Sequence, residues 1–355
     1  MHPNLHLFPM VSKQSDVRSI AEDSSHHLRT TGLLSARSTL DIPNFAKIRL
    51  VEGGEAEALA EIARKRNVFA RHSYENSFYL QRIRALSNKT VIEVVGKGDP
   101  DEMIGQAEKV TEVTERLAVL SSTFALQREK LHRLLAITAH RVADLDITIG
   151  RGFRYLRSKS RVQPVLKGIT VDASFCKRFA SCGFAELARF CVCNTDVALH
   201  VRTAIDWLFE SRKEARIDAA IIKTAIALES LLILNESEPL AQSLSERAAF
   251  MLTSDPSQRR QISRIFRRFY EARSAVVHGS RRTKKFVRSG LLEGIDRLSL
   301  LLCLLLASNQ DKWGSTESLR EWCEGERWGT PSAPKSQFPK SYLKRAIALC
   351  SKAIP

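Results

Sequence analysis

The second half of the chain carries an almost unbroken series of helical patterns, and this feature restricts the fold more than any other. Short polar connections separate the segments, which place apolar residues at helical spacing: 196–213, 215–234, 240–252, 257–279 and 291–309. Segment 215–234 is apolar on almost every side, which predicts a central buried helix. Consecutive helices with short connections pack as a bundle, so we expect an all-α domain over residues 194–310.

The residues before this series have a mixed pattern. β-branched residues predict strands in 46–52 and 88–96, and further strands are predicted in 146–158 and 163–172. A long helical region lies between them, which gives a mixed α/β domain over 41–190 with a sensor or regulatory role. We predict an α+β protein overall, in which this mixed region precedes the all-α bundle.

The two termini differ from both domains. Residues 1–40 are rich in Ser, His and Thr and have no clear period, so we expect a flexible arm. Residues 311–355 contain three Trp and a Gly/Pro/Ser linker, and we expect a C-terminal tail with a short helix over 340–353.

The charge indicates a polyanionic partner. The 355 residues carry a formal net charge of +16, and the isoelectric point is near 9.8. This excess favours nucleic acid first and an anionic membrane second, although solubility alone explains many basic proteins. The longest apolar stretch is about half of a bilayer span, so we expect no transmembrane helix.

The cysteines and the first residues favour the cytoplasm. Seven Cys occur, an odd number at irregular spacing. The first residues lack the basic and then apolar run of a signal peptide. We therefore expect a cytoplasmic protein with reduced thiols.

A charged residue lies on the apolar face of segment 257–279. Arg273 follows Tyr270 by three residues and Phe269 by four, which places it on the same helix face. An unpaired buried charge is very costly, and Glu229 has the same anomaly within the apolar sequence IALESLLIL. We therefore expect Glu229 and Arg273 to meet.

A histidine follows at the end of the same predicted helix. His278 comes five residues after Arg273, a step of about 140° on an ideal helix, so the two side chains diverge unless the helix unwinds at Gly279. Arg and His that converge on a basic surface suit RNA cleavage. The 2′-hydroxyl attacks the adjacent phosphate, histidine moves the proton, and arginine stabilises the charge, with no metal or other cofactor required.

The surrounding sequence is strongly basic. Residues 255–290 contain eleven Lys/Arg and two acids, a local net charge of +9. We predict that this region follows the RNA phosphates through Arg264, Arg267, Arg268, Arg281, Arg282, Lys284 and Lys285.

Residues 196–306 resemble the HEPN superfamily, and most closely its Apea-like branch. Three pieces carry the resemblance: HVRTAIDWLFES (200–211), IALESLL (226–232), and FYEARSAVVHG (269–279) followed by an apolar helix. The resemblance implies an all-helical bundle and a metal-independent ribonuclease with an Arg-x4–6-His motif. It also implies a dimer in which two motifs share one cleft, and a role in antiviral defence or as a toxin.

The resemblance also assigns roles to particular residues. Arg273 and His278 become the catalytic pair, and Glu229 orients or neutralises Arg273. Tyr270 lines the cleft. Ser274 stands where the superfamily often has Asn, Asp or His, and its hydroxyl can bond a phosphate. The Leu-rich face over 298–306 gives weak support for the homodimer.

Other functions remain open. The zinc-ligand types Cys182, Cys191, Cys193 and His200 have a spacing that fits no familiar zinc finger, so we predict buried thiols and no metal site. The leading interpretation is a metal-independent endoribonuclease whose products end in a 2′,3′-cyclic phosphate. The alternative is an inactive module that binds RNA or a nucleotide, or serves as a dimerisation scaffold.

Overall fold

The computed structural model is mostly helical, with a small antiparallel sheet near the N-terminus followed by a helical region. It describes residues 24–31, 33–65, 80–81, 83–97, 100–126, 144–149, 155–159, 168–235, 238–279, 289–329, 334 and 336–353. Two compact units are present. The first comprises Met1–Glu115 and Ile137–Lys177, and the second comprises Arg116–Ala136 and Arg178–Pro355.

The first unit is built on a six-stranded antiparallel sheet. Its strands lie in the order β3-β4-β5-β1-β6-β7, and a separate parallel pair joins β2 to β8. The strands are β1 Ser24–Thr30, β2 Leu34–Ala36, β3 Leu40–Ile42, β4 Ala46–Leu50, β5 Thr90–Lys97, β6 Asp144–Ile149, β7 Tyr155–Lys159 and β8 Ile169–Val171. Strands β4 and β5 confirm the two β-branched predictions. Segment 146–158 belongs to two paired strands, β6 and β7, rather than to one, and residues 150–154 between them lie outside the described residues.

Part of the predicted N-terminal arm is an inner strand of this sheet. Strand β1 pairs with β5 on one side, where His27 lies opposite Val94, and with β6 on the other. Both His27 and Leu28 are buried, so both faces of the strand are covered. A strand covered on both faces does not alternate between polar and apolar residues, which is why the pattern was missed. Residues 1–23 of the arm lie outside the described residues.

Helices cover and extend the sheet unit. Helix α1 (Gly53–Lys65) places Ala56, Leu59 and Ala60 in a core cluster with residues of β1 and β5. Helix α2 (Pro100–Ser121) continues into a short 3-10 turn, Ser122–Phe124. The division between the two units falls within α2 and within α3 (Ala173–Ser181).

The second unit contains the five predicted helices. They are α5 Asp196–Lys213, α6 Ile217–Leu232, α7 Leu240–Leu252, α8 Pro256–Val277 and α9 Ser289–Ser308, preceded by α4 (Phe184–Cys191). Local sequence sets the helix starts. The Thr195 hydroxyl accepts from the Ala198 N–H at 3.2 Å, and the Asp255 carboxylate accepts from the Gln258 N–H at 2.6 Å.

Helix α9 forms the centre of this unit. Every residue from Leu298 to Leu306 is at most 1% exposed. The Leu-rich segment is therefore buried within this chain and has no exposed face for a second copy. The prediction that it supports a dimer is wrong. No described helix is long and apolar enough to cross a membrane.

The predicted tail is part of the helical unit. It contains α10 (Thr316–Trp328), which the sequence analysis missed, and α11 (Lys340–Ala353), which it predicted. Helix α11 packs closely on α9 because Gly294 has no side chain. A Cβ at Gly294 would lie 2.2 Å from Cys350 Sγ.

Candidate functional site

The predicted arginine and glutamate come together. Arg273 Nη2 on α8 lies 3.4 Å from Glu229 Oε1 on α6, and both side chains are partly exposed, at 27% and 23%. The inner face of α8 places Ile262, Phe266 and Phe269 in the core, so Arg273 stands where this apolar face reaches solvent. The anomaly read from the sequence is thus an ion pair at the edge of the core.

Tyr270 completes this cluster. The Arg273 guanidinium carbon lies 5.5 Å from the centre of the Tyr270 ring, within the range of a cation–π contact. Burial raises the pKa of the Tyr270 hydroxyl, and the neighbouring Glu229 charge and their hydrogen bond raise it further. The phenol therefore stays protonated beside the Glu229 carboxylate.

Arg273 keeps unused donor capacity. Its contact with Glu229 at 3.4 Å is longer than the usual 2.7–2.9 Å of a charge-assisted hydrogen bond. Its Nε is buried and has no hydrogen-bond partner among the described residues. The partly exposed Nη groups, rather than the buried Nε, can therefore donate to a further acceptor without first breaking a short ion pair.

Several helices converge on the last turn of α6, Glu229–Leu232, which we call the α6 exit turn. Helix carbonyls at a C-terminus lack partners within the helix. Here the His200 Nδ1 of α5 lies 2.7 Å from the Ser230 carbonyl oxygen, and Arg247 Nη1 of α7 donates to the Leu232 carbonyl at 2.6 Å. Side chains from α5, α7 and α8 thus meet at one turn of α6.

The helix directions explain this convergence. Contacts of His200 with Ser230 and of Ser211 with Thr224 make α5 and α6 antiparallel. The contact of Arg267 with Ser245 likewise places the end of α8 near the start of α7. One end of the bundle therefore gathers the α6 exit turn, the start of α5 and the end of α8.

His278 lies on a different face of α8 from Arg273. Its backbone N–H donates to the Ser274 carbonyl at 3.0 Å, so the helical turn persists to this residue. Helix α8 ends at Val277, His278 is its C-terminal cap, and the next residue, Gly279, has a φ of +62°. No hydrogen bond or ion pair links the side chains of Arg273 and His278, both of which the structure describes, and the five-residue step separates them by about 140° and 7.5 Å of rise. The convergence allowed for at Gly279 is absent.

The exposed His278 instead continues an arginine-rich face. Helical geometry places Arg260, Arg264 and Arg267 within about 40° of His278, and all of them are exposed. The exposed face of α8 thus carries a row of arginines that ends at an imidazole, and we call it the α8 arginine face.

The remaining predicted basic residues are distributed differently. Arg268 lies beside the α8 arginine face and pairs with Glu271 at 2.8 Å. Ser274 is partly exposed and lies between the directions of Arg273 and His278. Four predicted RNA-binding residues fall outside the described part of the chain: Arg281, Arg282, Lys284 and Lys285.

The zinc-ligand types have other roles. Cys182 and Cys191 are buried free thiols, and burial raises the pKa of each. His200 is hydrogen-bonded at the α6 exit turn rather than to a cysteine. Within the described ranges, no group of three or more His, Cys, Asp or Glu is placed to hold a metal ion.

Comparison with protein-family models, with curated proteins and with solved structures found no match for this chain. The features of this chain that indicate a function are the geometry of the α6 exit turn and that of α8.

Sequence reasoning missed two of the residues at this turn. His200 was considered only as a zinc ligand, and Arg247 was not singled out. The available signal was the need of every helix C-terminus for hydrogen-bond donors, together with the fact that His and Arg supply them. That signal identifies residue types but not which helix supplies them, because the pairing of α5 and α7 with α6 is a tertiary property.

Proposed function

We propose that the chain is a metal-independent endoribonuclease of the HEPN type in which Arg273 and His278 act on one phosphate. The observation that carries the proposal is the arrangement at the end of α8. A partly exposed arginine, whose contact with Glu229 is long at 3.4 Å, and an exposed histidine flank a serine hydroxyl at the end of a row of exposed arginines.

The arrangement suits a phosphate bound over Ser274. Ser274 lies about 100° from Arg273 and 40° from His278 around the helix, so an anion at this position is approached from both sides. The long Arg273 side chain supplies donors to the non-bridging oxygens, where negative charge accumulates during transfer. The α8 arginine face holds the flanking phosphates by charge.

The chemistry follows from these groups. The ribose 2′-oxygen attacks phosphorus, the bond from phosphorus to the 5′-oxygen breaks, and His278 carries a proton to or from the reacting oxygens. The products are a 2′,3′-cyclic phosphate and a 5′-hydroxyl. The family resemblance supports a defence or toxin role and a homodimer, and both remain parts of this proposal.

Cleavage of a defined RNA in EDTA tests the proposal. We expect wild type to cleave, His278→Ala and Arg273→Ala to lose at least about 100-fold in rate, and the new ends to carry 2′,3′-cyclic phosphate. Val277→Ala is the matched control, because Val277 is the adjacent residue and is 50% exposed. Ends with a 3′-hydroxyl, or full activity of His278→Ala, would contradict the proposal.

One observation favours a second function, an inactive RNA-binding module. Arg273 is already paired with Glu229, and His278 points along another face of α8. In that case the α8 arginine face binds RNA without cleavage. RNA should then dissociate from Arg264→Ala at a lower salt concentration than from wild type. Neither wild type nor any variant should shorten the RNA.

A further inference from the structure

We propose that His200 is a second catalytic imidazole and acts as the general base, while His278 acts as the general acid. The inference rests on the proposed ribonuclease function and assigns one of its steps to α5. It starts from the direction of one hydrogen bond at the α6 exit turn.

The partner of His200 determines its tautomer. A backbone carbonyl oxygen can only accept a hydrogen bond, so the Nδ1 that lies 2.7 Å from the Ser230 oxygen must carry the proton. In the neutral ring the other nitrogen, Nε2, then has a free lone pair. The contact therefore presents Nε2 as a proton acceptor and fixes the orientation of the ring.

His200 and Arg273 are held by neighbouring residues of α6. Arg273 is held by the Glu229 carboxylate at 3.4 Å, and His200 by the Ser230 carbonyl at 2.7 Å. His200 is partly exposed, so its free nitrogen is not sealed in the core. The turn thus positions a base on one side and a phosphate-binding arginine on the other.

A second imidazole resolves a difficulty of the single-histidine scheme. Cleavage needs one group to take the 2′-hydroxyl proton and another to give a proton to the departing 5′-oxygen. His200 Nε2 takes the first proton as the 2′-oxygen binds phosphorus. Protonated His278 donates the second as the bond to the 5′-oxygen breaks, and exchange with water restores both rings.

Four charged residues lie either near His200 in the sequence of α5 or at the α6 exit turn. Asp196 lies one turn earlier on α5, Glu229 precedes Ser230 on α6, and Arg273 of α8 pairs with Glu229. Arg247 of α7 reaches the same turn through the Leu232 carbonyl.

His200→Asn separates catalysis from structure. The Asn amide nitrogen occupies the position of Nδ1 and can still donate to the Ser230 carbonyl, but the variant has no titratable nitrogen at the position of Nε2. We expect this variant to keep the melting temperature of wild type and to lose at least about 100-fold in kcat. In its pH–rate profile, the increase in kcat with increasing pH on the acid side should also be absent. His200→Ala loses both stability and rate, and Leu199→Ala, which removes an exposed neighbour, changes neither.

Two outcomes overturn the assignment. If His200→Asn keeps the rate and the complete pH profile, His200 only caps the α6 exit turn. If long-range proton–nitrogen NMR spectra show the proton of His200 on Nε2, the ring cannot act as the base drawn here.

The NMR measurement also decides the case in which wild type leaves RNA intact and the proposed function fails. Uridine 3′-monophosphate is then titrated into the full chain. The His200 signals are assigned as those that are missing from the spectrum of His200→Asn. A shift of the His200 Nε2 signal supports a nucleotide site at this imidazole. An unchanged signal overturns the inference independently of any activity.

Discussion

Removal of the Asp296 carboxylate should destabilise the helical unit more than any surface charge does. Asp296 of α9 and Arg212 of α5 form a buried ion pair, with Oδ2 and Nη1 3.2 Å apart and side chains 1% and 2% exposed. The Thr224 hydroxyl of α6 donates to Asp296 Oδ1 at 3.0 Å. One carboxylate therefore links the three helices around the core.

The magnitude follows from what Asp296→Ala leaves behind. Breaking a buried pair from one side costs about 3–5 kcal/mol, because the other charge stays buried without its partner. Loss of the Thr224 hydrogen bond adds about 1 kcal/mol. For a unit of this size, each kcal/mol lowers Tm by about 2–4 °C, so a total of about 4–6 kcal/mol should lower Tm by roughly 8–24 °C.

Thermal unfolding followed by circular dichroism measures this decrease. The matched control is Glu317→Ala, which breaks the exposed pair with Arg320 on α10 and should leave Tm unchanged. The double variant Arg212→Met/Asp296→Leu should recover most of the loss, because apolar residues of similar volume replace both charges. The reasoning is refuted if Asp296→Ala lowers Tm no more than Glu317→Ala, or if the double variant is no more stable than Asp296→Ala.

Three further predictions concern packing, pH and RNA affinity. Gly294→Ala should cost about 1–3 kcal/mol in urea unfolding, since its Cβ would lie 2.2 Å from Cys350 Sγ, and Cys350→Ala should recover part of this. Burial lowers the pKa of His27 from 6.5 to about 4, so the unfolded chain binds a proton that the folded chain does not. The free energy of unfolding should therefore fall by about 3 kcal/mol as the pH decreases from about 6.5 through 4, and His27→Asn should remove this part of the pH dependence. Glu271→Gln should tighten RNA binding severalfold at low salt, because it removes a negative charge from the α8 arginine face and releases Arg268; an equal effect at high salt would contradict this.

The helices between residues 196 and 308 could be predicted because their signals are local. Thr195 and Asp255 cap the starts of α5 and α8, and Gly279 ends the helical backbone of α8 with a positive φ. Period, cap and stop residue all lie within one turn of the boundaries that they mark. Tertiary contacts were not needed to find them.

The sheet was harder to predict because its order is not local. Strand β1 lies between β5 and β6, which follow it by more than sixty residues. With His27 and Leu28 both buried, it shows no alternation that would mark one buried face. It forms a strand because of its pairing with neighbouring strands, and the local sequence does not indicate which strands these are.

In the candidate site too, the features that depend on local sequence could be predicted and those that depend on tertiary contacts could not. A charge inside an apolar helix was sufficient to predict the pairing of Glu229 with Arg273, because such a charge demands a partner and both residues interrupt apolar helix faces. The direction of His278 relative to Arg273 could be predicted from the rotation of about 100° per residue in a helix. The structure keeps this rotation because the His278 N–H still donates to the Ser274 carbonyl. The role of His200 depended on which carbonyl its ring meets across α5 and α6, and no spacing in the sequence contains that information. Chemistry that arises within one helix was therefore accessible from the sequence. Chemistry that arises where three helices meet at the α6 exit turn required the fold, and His200 belongs to this second kind.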